Sequence, residues 1–592
     1  MRILRIALSL LSLFSVTIIS FSSEPEWRAH WIMHPYVQPQ QHALILFRKT
    51  FDLPSKPEKF VIHLSADNHY RLFVNGTYIL RGPARGDLSH WFYETVDIAP
   101  YLKSGNNSLA AEVVNWGPKR SFTFFSQMTS FIMQGETDNE KAVNTSGGSW
   151  KCFHNQAVIA KNIEWMTDRS TIDFGLYVGN PTDSVRAELY PWGWETPGYD
   201  DSSWLQAKWC DISGGRGQQY AGDSRVHNLS LLTLSGDDRL TRNSLIQFDQ
   251  SRIPEGLTYA CYPNPFHLII PSYSLIWIDQ VHDYMMWKDD KEFVSGFELG
   301  ITNLLDWFER RRQVNGLLDK IDWWGALAWP RHYKNGEPPD VYKGNNTLYT
   351  LHYAYSLRHA ADIFRFTGKN EIAGVYSARA DEICAAVNKL CRNADGYYTE
   401  SIDNKQVSQV TNIMAILAEA IKGEDARKLM TNLLEPKDWF GQVDLFLHVY
   451  LFEAMNKTGL QEYFSQELSE WRLMKERGLT TFVEVPLEWG EENQRSECHP
   501  WSSSPNYYFF RTVCGIRPAT PGHRKIEIAP SLGDLKGIYA IYPHYLGNIV
   551  IHLTKRGSGI KGEVTLPPDM EGEFVWNSIK INLKAGKPKI SL

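Results

Sequence analysis

The stretch LYTLHYAYSLRHAADIFRFT (Leu348–Thr367), separated by Gly368-Lys369-Asn370 from EIAGVYSARADEICAAVNKLC (Glu371–Cys391), decides the architecture. Both runs place apolar side chains at three- and four-residue intervals, the signature of helices with one buried face. Working outward, the same period recurs in Glu298–Arg312, Val410–Ile421 and Val443–Asn456. The text between the helices is aromatic and polar: Asp322-Trp323-Trp324, Trp329-Pro330, and the long segment Glu484–Trp501. Helix pairs joined by aromatic, acidic loops predict a helical toroid with a site at one mouth.

The flanks read differently. From about residue 24 to 215 the text is β-like, with short β-branched and aromatic runs at Phe60–Leu64, Tyr70–Val74 and Leu109–Val114. Asn75-Gly76 between LFV and TYIL is a strong hairpin signal, because both residues tolerate the left-handed backbone that a two-residue turn requires. GYDDSSW at Gly198–Trp204 belongs to the same β-rich region. After about residue 516 alternation returns in Lys525–Ala529, Asn548–Leu553 and Gly562–Thr565. The expected chain is multidomain: an N-terminal β-sandwich (24–216), a central helical toroid (217–515) and a C-terminal β-sandwich (516–592). No low-complexity segment or sequence repeat interrupts it.

Composition excludes several classes. The 592 residues suffice for three or four domains of about 150 residues each. Net charge is −6 and no polybasic run occurs, so neither nucleic acid nor anionic lipid is an expected partner. Aromatic residues make up 13%, with 21 Trp, which serve either as sandwich cores or as platforms for the apolar faces of sugar rings. Residues 1–23 read as a signal peptide: Arg2 and Arg5 precede the apolar run Ile6–Ile19, and Ser20, Ser22 and Ser23 follow. The run is shorter than the roughly 20 residues of a membrane span, although a retained anchor is the alternative. Export to a bacterial periplasm or beyond is expected, with no membrane association after signal removal. Seven dispersed Cys form no CxxC pair, which disfavours a disulfide scaffold or zinc site. No P-loop, dinucleotide fingerprint or EF-hand loop is present, so neither a cofactor nor a metal is expected.

Three stretches resemble the α-L-rhamnosidases, the family-78 glycoside hydrolases. They are LFVNGTYILRGPARGDLSHWFYETVDIAPYLKSGNNSLAAEVVNWG (Leu72–Gly117); QYAGDSR (Gln219–Arg225) with FDQSRIPEGLTYACYPN (Phe248–Asn264) and VHDYMMWKDD; and GLTTFVEVPLEW with SECHPWSSSPNYYFFRTVCGIRPATPG, within Gly478–Gly522. The third is the most specific. The resemblance implies a carbohydrate-binding-like β-sandwich at 24–216 before an (α/α)6-type barrel that hydrolyses terminal α-L-rhamnosyl residues of glycosides or polysaccharides with inversion. Inversion needs two carboxyl groups about 6.5–9.5 Å apart, one protonating the leaving oxygen and the other deprotonating a water. Glu484 matches the general base; otherwise it is a loop carboxylate in a salt bridge. His499 matches a histidine that binds the sugar or orients the site. Asp223 matches a carboxylate that holds rhamnose hydroxyls, with a helix N-cap as the alternative. Trp323, Trp324, Trp329 and Trp501 are candidates to stack on rhamnose, or else core residues.

The match breaks at the acid. Relatives with QYAGD carry Asp-Cys-Pro-x-x-Glu upstream, and that Glu, resembling the general acid, stands seven residues before the aspartate. Here that position is Arg216, which cannot donate a proton; Asp211 is an isolated match. The simplest account is an internal deletion, at QYAG, of a β domain and the first barrel helices. The toroid is then incomplete, and the apolar faces near 440–455 are expected to be uncovered. Glu255, in RIPEGLT, is the candidate replacement acid. The rivals to an active rhamnosidase are a silent rhamnose- or glycan-binding protein and a non-functional truncated homologue.

Overall fold

The computed structural model describes residues 27–592 apart from 39–40, 85–90, 118–125, 127, 147–148, 162–181, 211–218, 263–267, 436 and 491–494. The signal segment, Asp211, Arg216 and the junction preceding Gln219 lie outside the described residues. The chain divides into two compact units, Met1–Gly217 and Gln218–Leu592.

The first unit is an antiparallel sandwich. One sheet runs in the order Lys208–Cys210, Trp31–Met33, Ser130–Gly135, Val61–Asp67, Glu94–Asp97. The other runs Leu205–Gln206, Lys151–His154, Ala43–Leu53, Gly105–Asn115, His69–Val74, Thr77–Gly82. Alternate residues of both sheets meet in one core, with Ile62, Leu64 and Phe131 from the first against Ile45, Phe47 and Val113 from the second. The Asn75-Gly76 turn forms as expected, with φ of 52° and 83°. GYDDSSW proves to be a brace on the outer face of the second sheet. Asp201 pairs with both Arg48 and Lys151, and Trp204 stacks on Phe153 at 5.3 Å.

The second unit begins with α1 (Ala221–Ser235), α2 (Arg239–Gln250), α3 (Pro271–Trp287), α4 (Glu298–Glu309), α5 (Thr347–Thr367), α6 (Asn370–Leu390), α7 (Gln409–Leu417), α8 (Gly423–Leu433), α9 (His448–Thr458), α10 (Ser469–Glu476) and α11 (Ser504–Tyr508), the last extended by a π turn Phe509–Val513. A single turn, Lys291–Ser295, precedes α4. Odd-numbered helices are buried on most sides, and even-numbered helices keep a solvated face. Each odd helix packs on the next, and α11 packs on α1, so the inner helices form a ring. The outer helices α2, α4 and α8 each pack on the inner helices before and after them, and α6 packs along α5. Among the described residues none fills the outer position between α11 and α1, and in that sense the toroid is incomplete.

One expectation is corrected here. The apolar residues of 440–455 are covered: Leu445, Phe446, Val449, Leu451 and Phe452 are all fully buried. Phe452 packs against Phe464, Trp471 and Tyr508, so α10, α11 and the turn before α10 supply the cover. Among the described residues the unfilled position lies in the outer layer beside α1, not in the ring.

The C-terminal strands form two four-stranded sheets. Ile526, Ile528 and Phe574 of one meet Ile549, Ile551 and Val564 of the other. This sandwich seats against the ends of α1 and α3 through Trp287–Tyr545 ring contact at 6.0 Å and an Arg524–Asp289 ion pair at 2.9 Å.

Candidate active site

Because every outer helix returns the chain, the inner helices run parallel and their N-termini gather at one end of the ring. The entering loops meet there, as do the positive ends of the helix dipoles, which favour carboxylates. Asp223 sits in the first turn of α1. Gly222 before it abuts Tyr273, whose ring would lie 2.7 Å from a Cβ, so only glycine lets α1 approach this closely. Glu484 and His499 stand on one long loop entering α11. Glu484 N–H donates to the Ser496 carbonyl at 2.8 Å and His499 N–H to the Phe482 carbonyl at 2.7 Å. This pairing brings the two side chains together despite the residues between them.

The result is a chain of contacts. His499 Nε2 lies 2.9 Å from Asp223 Oδ1, and its Nδ1 lies 3.5 Å from Glu484 Oε2. Glu484 Oε1 accepts from Trp329 Nε1 at 3.0 Å and from Arg495 Nε at 2.7 Å. The Arg495 guanidinium also lies over the Trp329 ring, 4.2 Å from its centroid. Glu484 is 7% exposed and Asp223 9%, so both carboxylates face the mouth with little solvent around them. Burial alone would lower the His499 pKa; the hydrogen bond and charge of Asp223, with the charge of Glu484, outweigh it and raise the imidazole above its ordinary value.

The raised value carries a stability consequence. A histidine whose folded pKa exceeds its unfolded value stabilises fully below the unfolded value, about 6.5, and loses that contribution as pH rises through the folded one. Asp223→Asn should therefore flatten the slope of stability with pH above about 6.5. Denaturation midpoints across the neutral range check this; a slope unchanged by the substitution would show that His499 is not held by Asp223.

The four tryptophans separate. Trp329 holds Glu484, and Trp324 lies beside it, 6.3 Å between rings. Trp323 is half-buried against the core. Trp501, expected to stack on sugar, is 3% exposed; it stacks on Phe446 and donates its indole N–H to the Glu484 carbonyl at 2.8 Å. It braces the Glu484 backbone. Glu255 is not brought to this cluster. It is exposed on the turn after α2, and its backbone carbonyl accepts from Arg310 at the end of the outer helix α4. Among the described residues no contact joins its side chain to Asp223, His499 or Glu484.

Two residues escaped the sequence reading. Arg495 sits between the Glu484 and His499 motifs, and its position alone was the available signal. Asp444 carries no motif. It caps α9, accepting from Leu447 N–H at 2.8 Å and from Trp329 N–H at 2.6 Å. Burial pushes its carboxyl up to about 6, Glu484 adds to the rise, and the backbone donors oppose it. Asp444 thus locks the Trp329 loop onto α9. Among the described residues no group of three or more His, Cys, Asp or Glu is placed to hold a metal. Among them, too, no helix is long and apolar enough to cross a membrane.

Comparison with known proteins agrees with this geometry. Residues 217–513 match the bacterial α-L-rhamnosidase six-hairpin glycosidase domain, and 55–222 match the α-L-rhamnosidase N-terminal domain. An α-L-rhamnosidase of Streptomyces avermitilis is 28% identical over 184 residues, which span 30% of this chain and only 14% of that protein. The structure of a family-78 rhamnosidase of Bacillus sp. GL1 superposes with TM-score 0.80 at 14% identity, covering 93% of this chain and 98% of that one. That of the Aspergillus terreus α-L-rhamnosidase gives 0.75 at 14%, covering 95% and 87%. That of the Streptomyces avermitilis enzyme complexed with L-rhamnose gives 0.72 at 14%, covering 93% and 71%. On the match over the ring and the sandwich before it, the chain belongs to the bacterial α-L-rhamnosidase family of six-hairpin glycosidases.

Proposed function

We propose that this chain is an exported α-L-rhamnosidase that removes terminal rhamnosyl residues from glycosides or polysaccharides with inversion. The observation that carries the reading is the Asp223–His499–Glu484 contact chain at the N-terminal mouth of the ring. Glu484 is the base. It takes a proton from water as that water's oxygen attacks the anomeric carbon, and the bond to the leaving oxygen breaks on the opposite face. Trp329 and Arg495 fix the carboxylate, His499 sets its second oxygen, and Asp223 orients His499 and faces the sugar hydroxyls. The rhamnose complex of the Streptomyces relative supports the sugar assignment.

Arg216 stands where the resemblance places the acid, and Glu255 is exposed with no contact to the cluster. The leaving oxygen therefore departs with little protonation, and general acid assistance is typically worth about 10²–10⁴ in rate. We attribute the gap to an internal deletion. The two family matches overlap at 217–222, where the QYAG text places the junction.

The test is hydrolysis of p-nitrophenyl α-L-rhamnoside followed by NMR of the first-formed sugar. β-Rhamnose as first product is the expected result, with an alkyl rhamnoside slower by about 10²–10⁴. First-formed α-rhamnose would overturn inversion. Absence of turnover with retained rhamnose binding would leave the second reading, a silent glycan-binding protein. That reading is favoured by the Arg495–Glu484 ion pair at 2.7 Å, which occupies an oxygen the base needs.

A further inference from the structure

Each sheet of the C-terminal sandwich ends in two edge strands, and an edge presents a row of open N–H and C=O groups to any further strand. Three of the four edges carry a device against such pairing. Ile516–Pro518 is three residues long and holds Arg517 and Pro518. Ile579–Leu583 holds an exposed Lys580, and Lys589–Ser591 is three residues long and starts on a lysine. The fourth edge, Gly537–Tyr542, is six residues of GIYAIY with no charge, no proline and no bulge. Its outward face is apolar, with Tyr539 68% and Ile541 46% exposed. Val550 and His552 lie beside them on the next strand, and the first acid, Glu563, stands one strand farther in.

The phase of the ladder fixes which backbone groups face outward. Lys555 N–H donates to the Lys536 carbonyl at 2.8 Å. Antiparallel pairs alternate between bonded and non-bonded, so Ile538–Leu553 and Ala540–Ile551 are bonded pairs. The N–H and C=O groups of Tyr539 and Ile541 therefore point to the open edge. The strand is also nearly palindromic about Ala540. Laid antiparallel to itself with Ala540 on a two-fold axis, it sets Tyr539 opposite Ile541, each such pair exchanging both its bonds. On the exposed face the same register sets aromatic against β-branched side chains, a favourable cross-strand pair, and brings no like charges together. The ring lies at the far end of the strand, where Gly236 approaches Pro543 and Trp287 meets Tyr545. An antiparallel partner carries its own ring to the opposite end.

We propose that Gly537–Tyr542 pairs with the same strand of a second copy of this chain, joining the two four-stranded sheets into one across a two-fold axis. Because the other three edges of the sandwich are blunted, the pairing closes at a dimer instead of growing. An edge-to-edge contact of six residues falls below the roughly 1,200 Å² of stable interfaces, so the dimer is a weak one, with Kd on the order of micromolar. It stands independently of the reaction assigned to the ring.

Sedimentation velocity of the full chain, from about 1 to about 100 µM, tests it. A monomer–dimer equilibrium is expected. Tyr539→Lys with Ile541→Lys sets like charges opposite one another at both pairs and should weaken the dimer by more than about tenfold. Tyr539→Lys with Ile541→Glu sets unlike charges opposite one another in the same register and should restore it. Both side chains are exposed, so the thermal midpoint of the monomer should move little in either variant. A chain still monomeric at about 100 µM would overturn the proposal. So would a dimer indifferent to the paired lysines, a dimer that the lysine–glutamate variant fails to restore, or growth beyond two copies.

Discussion

Glu484→Gln is expected to lower turnover of an aryl α-L-rhamnoside by about 10²–10⁴, the range over which a positioned proton acceptor acts. The substitution preserves shape. Glutamine Oε1 still accepts from Trp329 and Arg495, the groups that hold Glu484 Oε1 at 3.0 and 2.7 Å. What disappears is the capacity to take a proton from water. Rhamnose affinity should therefore change little, because Asp223, His499 and the tryptophans remain. Stability should change little as well. Arg495 is 45% exposed, so the lost ion pair is largely screened. Parallel measurement of kcat, rhamnose binding and denaturation midpoint separates these effects. Loss of turnover with binding intact assigns the base. Retained turnover would sink the assignment, and a fall in binding equal to the fall in rate would make Glu484 a sugar ligand instead.

The second large effect is on stability. Arg225 on α1 is 2% exposed. Its guanidinium faces Asp279 at 3.6 Å, Asp283 at 2.9 Å and Glu453 at 3.5 Å, carboxylates from α3 and α9. It also lies over the Tyr450 ring, 5.1 Å from the centroid. Asp279 is fully buried. Burial alone would raise its pKa, but His352, His359 and Arg225 overcome this and hold it well below the carboxylate range. Arg225→Met fills a similar volume but strands those acids without their counter-ion. Breaking a buried pair from one side costs about 3–5 kcal/mol, a large share of the 5–15 kcal/mol typical of a folded domain. Chemical denaturation of the full chain should show the ring unit unfolding at lower denaturant. Adding Asp283→Asn should recover part of the loss, since one stranded charge is then removed. A loss below about 1 kcal/mol would mean the network does not hold the inner helices together.

Some of this molecule is legible in its sequence because the signals are local. Asn75-Gly76 specifies its turn through backbone sterics within two residues, and the positive φ values follow. The apolar period of Leu348–Thr367 and Glu371–Cys391 specifies helices through hydrogen bonds only four residues apart. Glu484 and His499 were legible because both fall within one matched stretch. The rest depended on chain segments that nothing local relates. Asp223 and His499 are 276 residues apart and meet only because α11 packs back on α1. Asp444 entered the site through a tertiary contact with Trp329, 115 residues away. Trp501 and Trp329 have the same side chain and similar sequence surroundings. Packing against Phe446 buried the first, whereas the Trp329 indole N–H reached the Glu484 carboxylate. The sequence reading expected exposed faces at 440–455, and the structure buries them. Those faces are covered because α10, α11 and the turn before α10 pack on α9. By itself, then, the sequence determined the elements, their classes and the pair Glu484 and His499 that the site brings together. The tertiary structure alone decided which carboxylates meet, which tryptophan braces and which faces the site, because ring closure brings together residues whose separation no local rule encodes.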